Sequence, residues 1–189
     1  MSAPPITAAF SLVNHDGTPV TEASYRGQWQ LVQFGFTSCK AVCPRALSKL
    51  TAALDTLAAS AGPVPLTALY ITVDPDRDSP EVMRNYLQTY PRFTGLTGPG
   101  DAIDDAKKAF KIFTRRRDAQ DGYDVQHTAV TYLVDPDGQP AHYWADVRTA
   151  EEIAEDLERI VVTRTTPAEH DGPRGEQAPA ASSCCAPAD

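Results

Sequence analysis

Residues 36–47, "FTSCKAVCPRAL", hold two cysteines with three residues between them, after an apolar run and before a proline. Cys39 and Cys43 can serve as a redox pair, as a metal clasp or as two small buried side chains. A thiolate at a helix N-terminus is stabilised by unpaired backbone N–H groups and by the helix dipole. Lys40 and Arg45 add positive charge beside it. Both effects lower a thiol pKa, which favours redox chemistry and metal binding alike.

Three intervening residues still allow a disulfide, because Cα separations near ~5.5 Å are reachable across one turn. The same spacing lets two sulfurs converge on one ion, and thiolates select soft metals, chiefly Cu(I) and Zn. Two sulfurs alone make a poor zinc site, which takes four ligands, or three and a water. A third ligand must come from elsewhere, and His127 in "DVQHTAV" is the candidate. Two thiolates and an imidazole form a copper-type donor set.

These residues need a scaffold. "AAFSLVNHDGTPVT" (8–21) predicts a hairpin about Asp16-Gly17. "QLVQFGF" (30–36) predicts a strand, and Pro44 suits the first turn of the helix that follows, with Leu47, Leu50, Leu54 and Leu57 at helical spacing. "LTALYITV" (66–73) has the continuous apolarity of a strand covered on both faces. Ser79-Pro80-Glu81 starts a helix over 79–90, and a second runs over 101–113 with Ile103, Ala106, Phe110 and Phe113 on one side. "HTAVTYLVDPDGQPAHYWAD" (127–146) predicts a strand from Thr128, a turn at Asp135–Gly138 and a second strand; a helix over 149–162 follows. The "TRRRD" run at 114–118 is expected at a helix end or in a loop.

This order predicts an α/β, thioredoxin-like fold with an N-terminal β-hairpin and an extra helix. The cysteine pair falls where the first core strand hands over to its helix, the edge of an open α/β sheet at which sites form. The loop entering the late strand, with His127, is expected beside that helix start.

The totals set limits. A chain of 189 residues with 42% hydrophobic and 22% charged residues suits one domain with a real core. A net charge of -8 argues against nucleic acid. Four cysteines in two tight pairs are too few for a disulfide scaffold. No stretch reaches the ~20 apolar residues of a membrane span, and "MSAPPITAAF" does not read as a secretory signal. A cytoplasmic location therefore stays open beside one reached through a leader.

From Thr165 on, the chain contains no aromatic, leucine, isoleucine or valine. Such a segment does not offset its own ordering entropy. Residues 1–164 are expected to form the domain and 165–189 a disordered tail. Cys184-Cys185 in that tail is read as an exposed pair without a fixed partner, and His170 likewise.

The chain resembles the Sco/SenC family of copper-binding proteins that assist cytochrome c oxidase assembly. The resemblance covers residues 8–162 and rests on "FGFTSCKAVCPRAL", "YITVDPDRDSPEVMRNYLQTY", "FTGLTG" and "HTAVTYLVDPDGQP" in that order. It implies one copper per domain, Cu(I) or Cu(II), held by Cys39, Cys43 and His127. It also implies passage of copper, or of reducing equivalents, to the Cu(A) centre of the oxidase's copper-bearing subunit, or exchange with another copper chaperone, by a monomer. By the same resemblance the location is periplasmic, or on a membrane facing the periplasm. A thiol–disulfide oxidoreductase or peroxidase-like enzyme cycling Cys39 and Cys43 is the alternative.

Asp74, Asp76 and Asp78 match the family's acidic loop. Asp78 is expected to be part of a helix start, and Asp74 stays open between that and orienting ligands. Two departures stand out. The family usually carries an acidic residue between the cysteines and an aspartate before the histidine; here Lys40-Ala41 and Gln126 stand there. Both remove negative charge near the metal.

Overall fold

A computed structural model describes residues 6–119 and 122–163 of the protein. The expected hairpin forms as β1 (Ser11–Asn14) and β2 (Pro19–Thr21). The Asn14 side chain accepts from the Asp16 and Thr18 N–H groups at 3.0 and 2.9 Å, and Gly17 takes φ +87° to close the turn.

Strand β3 (Trp29–Gly35) is buried at every position, as its uninterrupted run of uncharged residues demands. It leads into α1 (Val42–Ala61), which buries Cys43, Leu47, Leu50, Leu54 and Leu57 along one stripe. The chain then returns as β4 (Leu66–Thr72), parallel to β3 from Trp29↔Leu66 to Gly35↔Thr72. Gly35 is required by a close approach. A methyl group there would stand 2.3 Å from the Tyr70 hydroxyl, on a strand with no room to yield.

Ser79 caps α2 (Pro80–Leu87), accepting from Val82 N–H at 3.3 Å. Next come β5 (Phe93–Thr97), α3 (Gly100–Phe110), a ribbon of β6 (Thr114–Ala119) and β7 (Gly122–His127), then β8 (Val130–Val134) and β9 (Pro140–Ala145). The last helix, α4 (Ala150–Leu157), opens on a Thr149/Glu152 capping box and runs into a π-helical turn, Glu158–Val162. The main sheet has the order β2-β1-β5-β4-β3-β8-β9, with β6 and β7 forming a separate two-stranded sheet. Parallel β3, β4 and β5 with antiparallel β8 and β9 beside β3 make this a thioredoxin-like fold.

Three local expectations change, and one strand is added to those expected. "FTGLT" is a central strand, β5, whose Gly95 leaves space for Leu87 and Met83 of α2. The "TRRRD" run is neither helix end nor loop but strand β6. Helix α3 stops at Phe110 because Lys111 takes the left-handed conformation (φ 57°), so Phe113 is 79% exposed rather than core. Finally, the late strand begins at Val130, and His127 is the last residue of β7. Cys184, Cys185 and His170, with the expected tail, lie outside the described residues.

Candidate metal centre

The C-terminal edge of β3 and the first turn of α1 hold both cysteines. Cys43, the second residue of α1, is buried with 2% exposure, whereas Cys39 in the preceding loop is partly exposed. Both are free thiols. The Cys39 sulfur accepts from the Cys43 backbone N–H at 3.4 Å. Partial burial pushes the Cys39 thiol up, but the N–H groups of Cys43, Ala41 and Val42 outweigh it and leave the pKa below the usual thiol value. Cys43 goes the other way: burial pushes it up to about 12.

His127 meets this pair. Its Nε2 lies 3.9 Å from the Cys43 sulfur, and its Nδ1 is 2.9 Å from the Thr128 carbonyl. A carbonyl oxygen only accepts, so Nδ1 carries the proton and Nε2 turns its lone pair toward the sulfur. Burial holds the imidazole pKa below its ordinary value, partly countered by the Thr128 bond, which keeps that lone pair free. Phe36 packs edge-on against the ring at 6.1 Å.

The donor set fits a soft ion. Bonds of ~2.3 Å from sulfur and ~2.0 Å from nitrogen span about 3.7 Å at a trigonal angle, close to the 3.9 Å found between Cys43 and His127. The three residues are not a preassembled cluster: among the described residues no group of three His, Cys, Asp or Glu already surrounds one point. Bringing all three onto one ion therefore takes a side-chain adjustment. A groove of about 560 Å³ lined by Cys39, His127, Val42 and Gln126 gives the space for this.

The acidic segment supports the site from behind, in two places. Asp78 is wholly buried and does more than start a helix, since Ser79 is the cap. Its carboxylate accepts from Thr37 N–H (3.1 Å), Thr37 Oγ1 (2.5 Å) and Thr72 Oγ1 (2.6 Å), tying the cysteine loop to β4. Burial pushes its pKa up, and these bonds partly offset that. Asp74, also buried, accepts from Tyr123 Oη at 2.7 Å and from Arg77 Nε at 2.5 Å. Arg77 in turn donates to the Tyr123 carbonyl at 3.0 Å and lies 4.0 Å from its ring centroid. Asp74 and Arg77 thus hold the ribbon that ends in His127. Asp76 lies outside this, exposed and 3.4 Å from Arg116 of β6.

Thr37, Tyr70, Arg77 and Tyr123 went unnoticed as site residues in sequence. Arg77 and Thr37 lie inside the quoted motifs; Tyr123 had no signal because the ribbon itself had none. Tyr70 lies buried close to Cys43, where its hydroxyl lowers and the burial around it raises the thiol's pKa.

The asymmetry of the two thiols has a direct readout. At pH 7, in a chain with Cys184 and Cys185 replaced by serine, alkylation is expected at Cys39 at least about tenfold faster than at Cys43, since the thiolate is the reactive form. Peptide mapping after partial labelling checks it; equal labelling would contradict the burial difference.

Fold and site together define a thioredoxin-like protein with a CxxxC pair and a facing histidine. The SCO1/SenC family profile matches residues 1–162, and the chain belongs to that family. The bovine mitochondrial SCO2 homolog is 38% identical over 153 residues, 79% of this chain and 58% of that protein. Arabidopsis thaliana ScoI with copper bound superposes with a TM-score of 0.80 at 29% identity, covering 84% of this chain and 99% of that one. Bradyrhizobium japonicum ScoI with copper bound gives 0.74 at 35%, over 82% and 99%. The chain spans little more than half the length of the curated relatives it matches, 58% for the bovine protein and 51% for the human SCO1 homolog.

Proposed function

We propose that this domain binds one copper ion through Cys39, Cys43 and His127, and delivers copper or reducing equivalents to the Cu(A) site of cytochrome c oxidase during its assembly. The observation that carries this reading is the 3.9 Å approach of the His127 Nε2 lone pair to the Cys43 sulfur from the far end of the β6–β7 ribbon. Copper in the plant and bacterial relatives supports it. Thiolates supply the soft donors that Cu(I) prefers, and the imidazole adds the nitrogen that suits Cu(II). Its partners on this reading are the oxidase's copper-bearing subunit or another copper chaperone. The site then belongs in the periplasm or on a membrane facing it; among the described residues no helix is long and apolar enough to cross a membrane.

A Cu(I) titration against a competing chelator tests the reading. With Cys184 and Cys185 replaced by serine, one Cu(I) per chain is expected, lost in both Cys39→Ser and Cys43→Ser. Retention of tight binding in Cys43→Ser would overturn it.

Thiol–disulfide exchange is the second reading, favoured by the contrast between an accessible, acidified Cys39 and a buried Cys43. Cys39 thiolate would attack a disulfide and release one thiol. Cys43 would then attack the Cys39 sulfur and release the other, leaving the domain oxidised.

A further inference from the structure

Two buried hydroxyls, those of Tyr70 and Tyr86, have no hydrogen-bond partner among the described residues. A buried polar group left unpaired costs stability, so each such group in a folded protein needs a physical reason. Both belong to one strip of rings. Tyr70 of β4 stacks on Tyr86 of α2 at 6.1 Å, and Tyr86 meets Tyr90 at 5.9 Å. The Tyr90 hydroxyl donates to the Pro44 carbonyl at 3.4 Å, which sets the strip against the first turn of α1. None of the three rings lines the groove of Cys39 and His127.

Tyr70 is the wholly buried member, and its hydroxyl occupies the place a side chain at Gly35 would take. The sulfur of Cys43, also buried, lies close by, near enough for each group to shift the other's pKa. A neutral thiol is a weak acceptor, which leaves the hydroxyl unsatisfied; a thiolate is a strong one. Few other donors reach that sulfur. The Phe36 backbone N–H faces it, but the Cys43 N–H serves Cys39 instead. His127 turns a lone pair toward it, not a proton. Asp78 does not compete for the hydroxyl, because Thr37 and Thr72 engage its carboxylate.

We propose that Tyr70 is the side-chain donor to the Cys43 sulfur whenever that sulfur carries charge, as a copper ligand or as the thiolate expelled when a Cys39–Cys43 disulfide opens. The inference rests on Cys43 acting as a thiolate, which both readings above require, and names the side chain that controls it. Hydrogen bonding at a metal-bound sulfur tunes the reduction potential. By drawing charge from the sulfur, Tyr70 biases the site toward Cu(I).

A ratio of two rates tests this, on the full chain with Cys184→Ser and Cys185→Ser. The first is the opening by dithiothreitol of the chain oxidised with diamide. A reagent thiolate bonds the Cys39 sulfur, the S–S bond breaks, and the electron pair leaves on Cys43. The reagent's second thiol then displaces Cys39, so both cysteines end reduced and the reagent ends as its cyclic disulfide. The second rate is alkylation of Cys39 in the reduced chain. Both rates need access to Cys39; only the first puts charge on Cys43.

Tyr70→Phe keeps the ring and loses one oxygen. Its opening-to-alkylation ratio is expected to fall by about tenfold, the low end for a hydrogen bond to a charged group. An unchanged ratio overturns the proposal, and so does an equal fall in Tyr86→Phe, which removes the same group from the next ring. With copper, the Cu(II)-to-Cu(I) affinity ratio should rise in Tyr70→Phe and the sulfur-to-copper charge-transfer band should move to lower energy. No rise in a chain that binds both ions also overturns the proposal. The disulfide measurement contains no metal, so a chain that fails to bind copper removes the copper reading and leaves this inference to the rate ratio.

Discussion

His127→Ala is expected to weaken Cu(II) binding by more than about 100-fold, beyond the 10–100-fold that loss of a supporting residue costs a metal site. Cu(I) binding should fall far less, because two thiolates already satisfy a soft monovalent ion. The reasons are local. Nε2 presents a lone pair 3.9 Å from the Cys43 sulfur, and the other described imidazoles are committed elsewhere. His15 Nδ1 accepts from Gly95 N–H, and His142 packs on Trp144. Because burial holds His127 below the usual imidazole pKa, protons compete for Nε2 only below about pH 6.5. Both thiols must lose protons to bind, so Cu(II) affinity falls with pH in both proteins, but the gap between wild type and His127→Ala should stay level from neutral pH down to that point. Competition titrations of both proteins across pH 5.5–7.5 check the pair of claims. Equal Cu(II) affinities would remove His127 from the site.

Asp78→Ala is expected to destabilise the domain by about 2–4 kcal/mol, as buried donors that lose their acceptor each cost roughly 1–3 kcal/mol. Thr37 N–H, Thr37 Oγ1 and Thr72 Oγ1 all lose their partner, and the cysteine loop loses its anchor to β4. Copper affinity should fall with stability, since Cys39 is no longer held over α1. Asp78→Asn, which keeps one acceptor oxygen and the volume, should retain most of both.

The two variants also differ in pH dependence. The folded pKa of Asp78 is raised by burial. Its contribution is then greatest below the unfolded value of about 3.9 and is lost as pH rises through the folded value. Wild type minus Asp78→Asn should reveal that slope in urea melts between acid and neutral pH. An Asp78→Ala domain as stable as wild type would show that the buried carboxylate anchors nothing.

Several features were readable in the chain before any coordinates. The β3–α1–β4 crossover followed from two apolar runs and a leucine stripe between them, the capped start of α2 from Ser79-Pro80, and α4 from the helix expected over 149–162. Such signals are local, set by residues a few positions apart. The β6–β7 ribbon was not readable. It packs little on the core and buries only Val125 among its described side chains, so no apolar alternation marks it, and three consecutive arginines read as solvated loop. Strand β5 was hidden by its shortness and its central glycine. Its place is fixed by pairing with β4 and by α2 packing over Gly95.

The chemistry divides the same way. The sequence by itself determined that Cys39 and Cys43 stand where β3 hands over to α1, because the apolar run before them and Pro44 after them mark that boundary within a few residues. Which thiol is buried and which open depended on how α1 lies on the sheet. That Asp78 reaches back to the cysteine loop, and that Asp74 and Arg77 hold the strand ending in His127, came only from the tertiary structure. Those contacts join residues about 40 to 50 positions apart, and no local propensity encodes the closing of such distances.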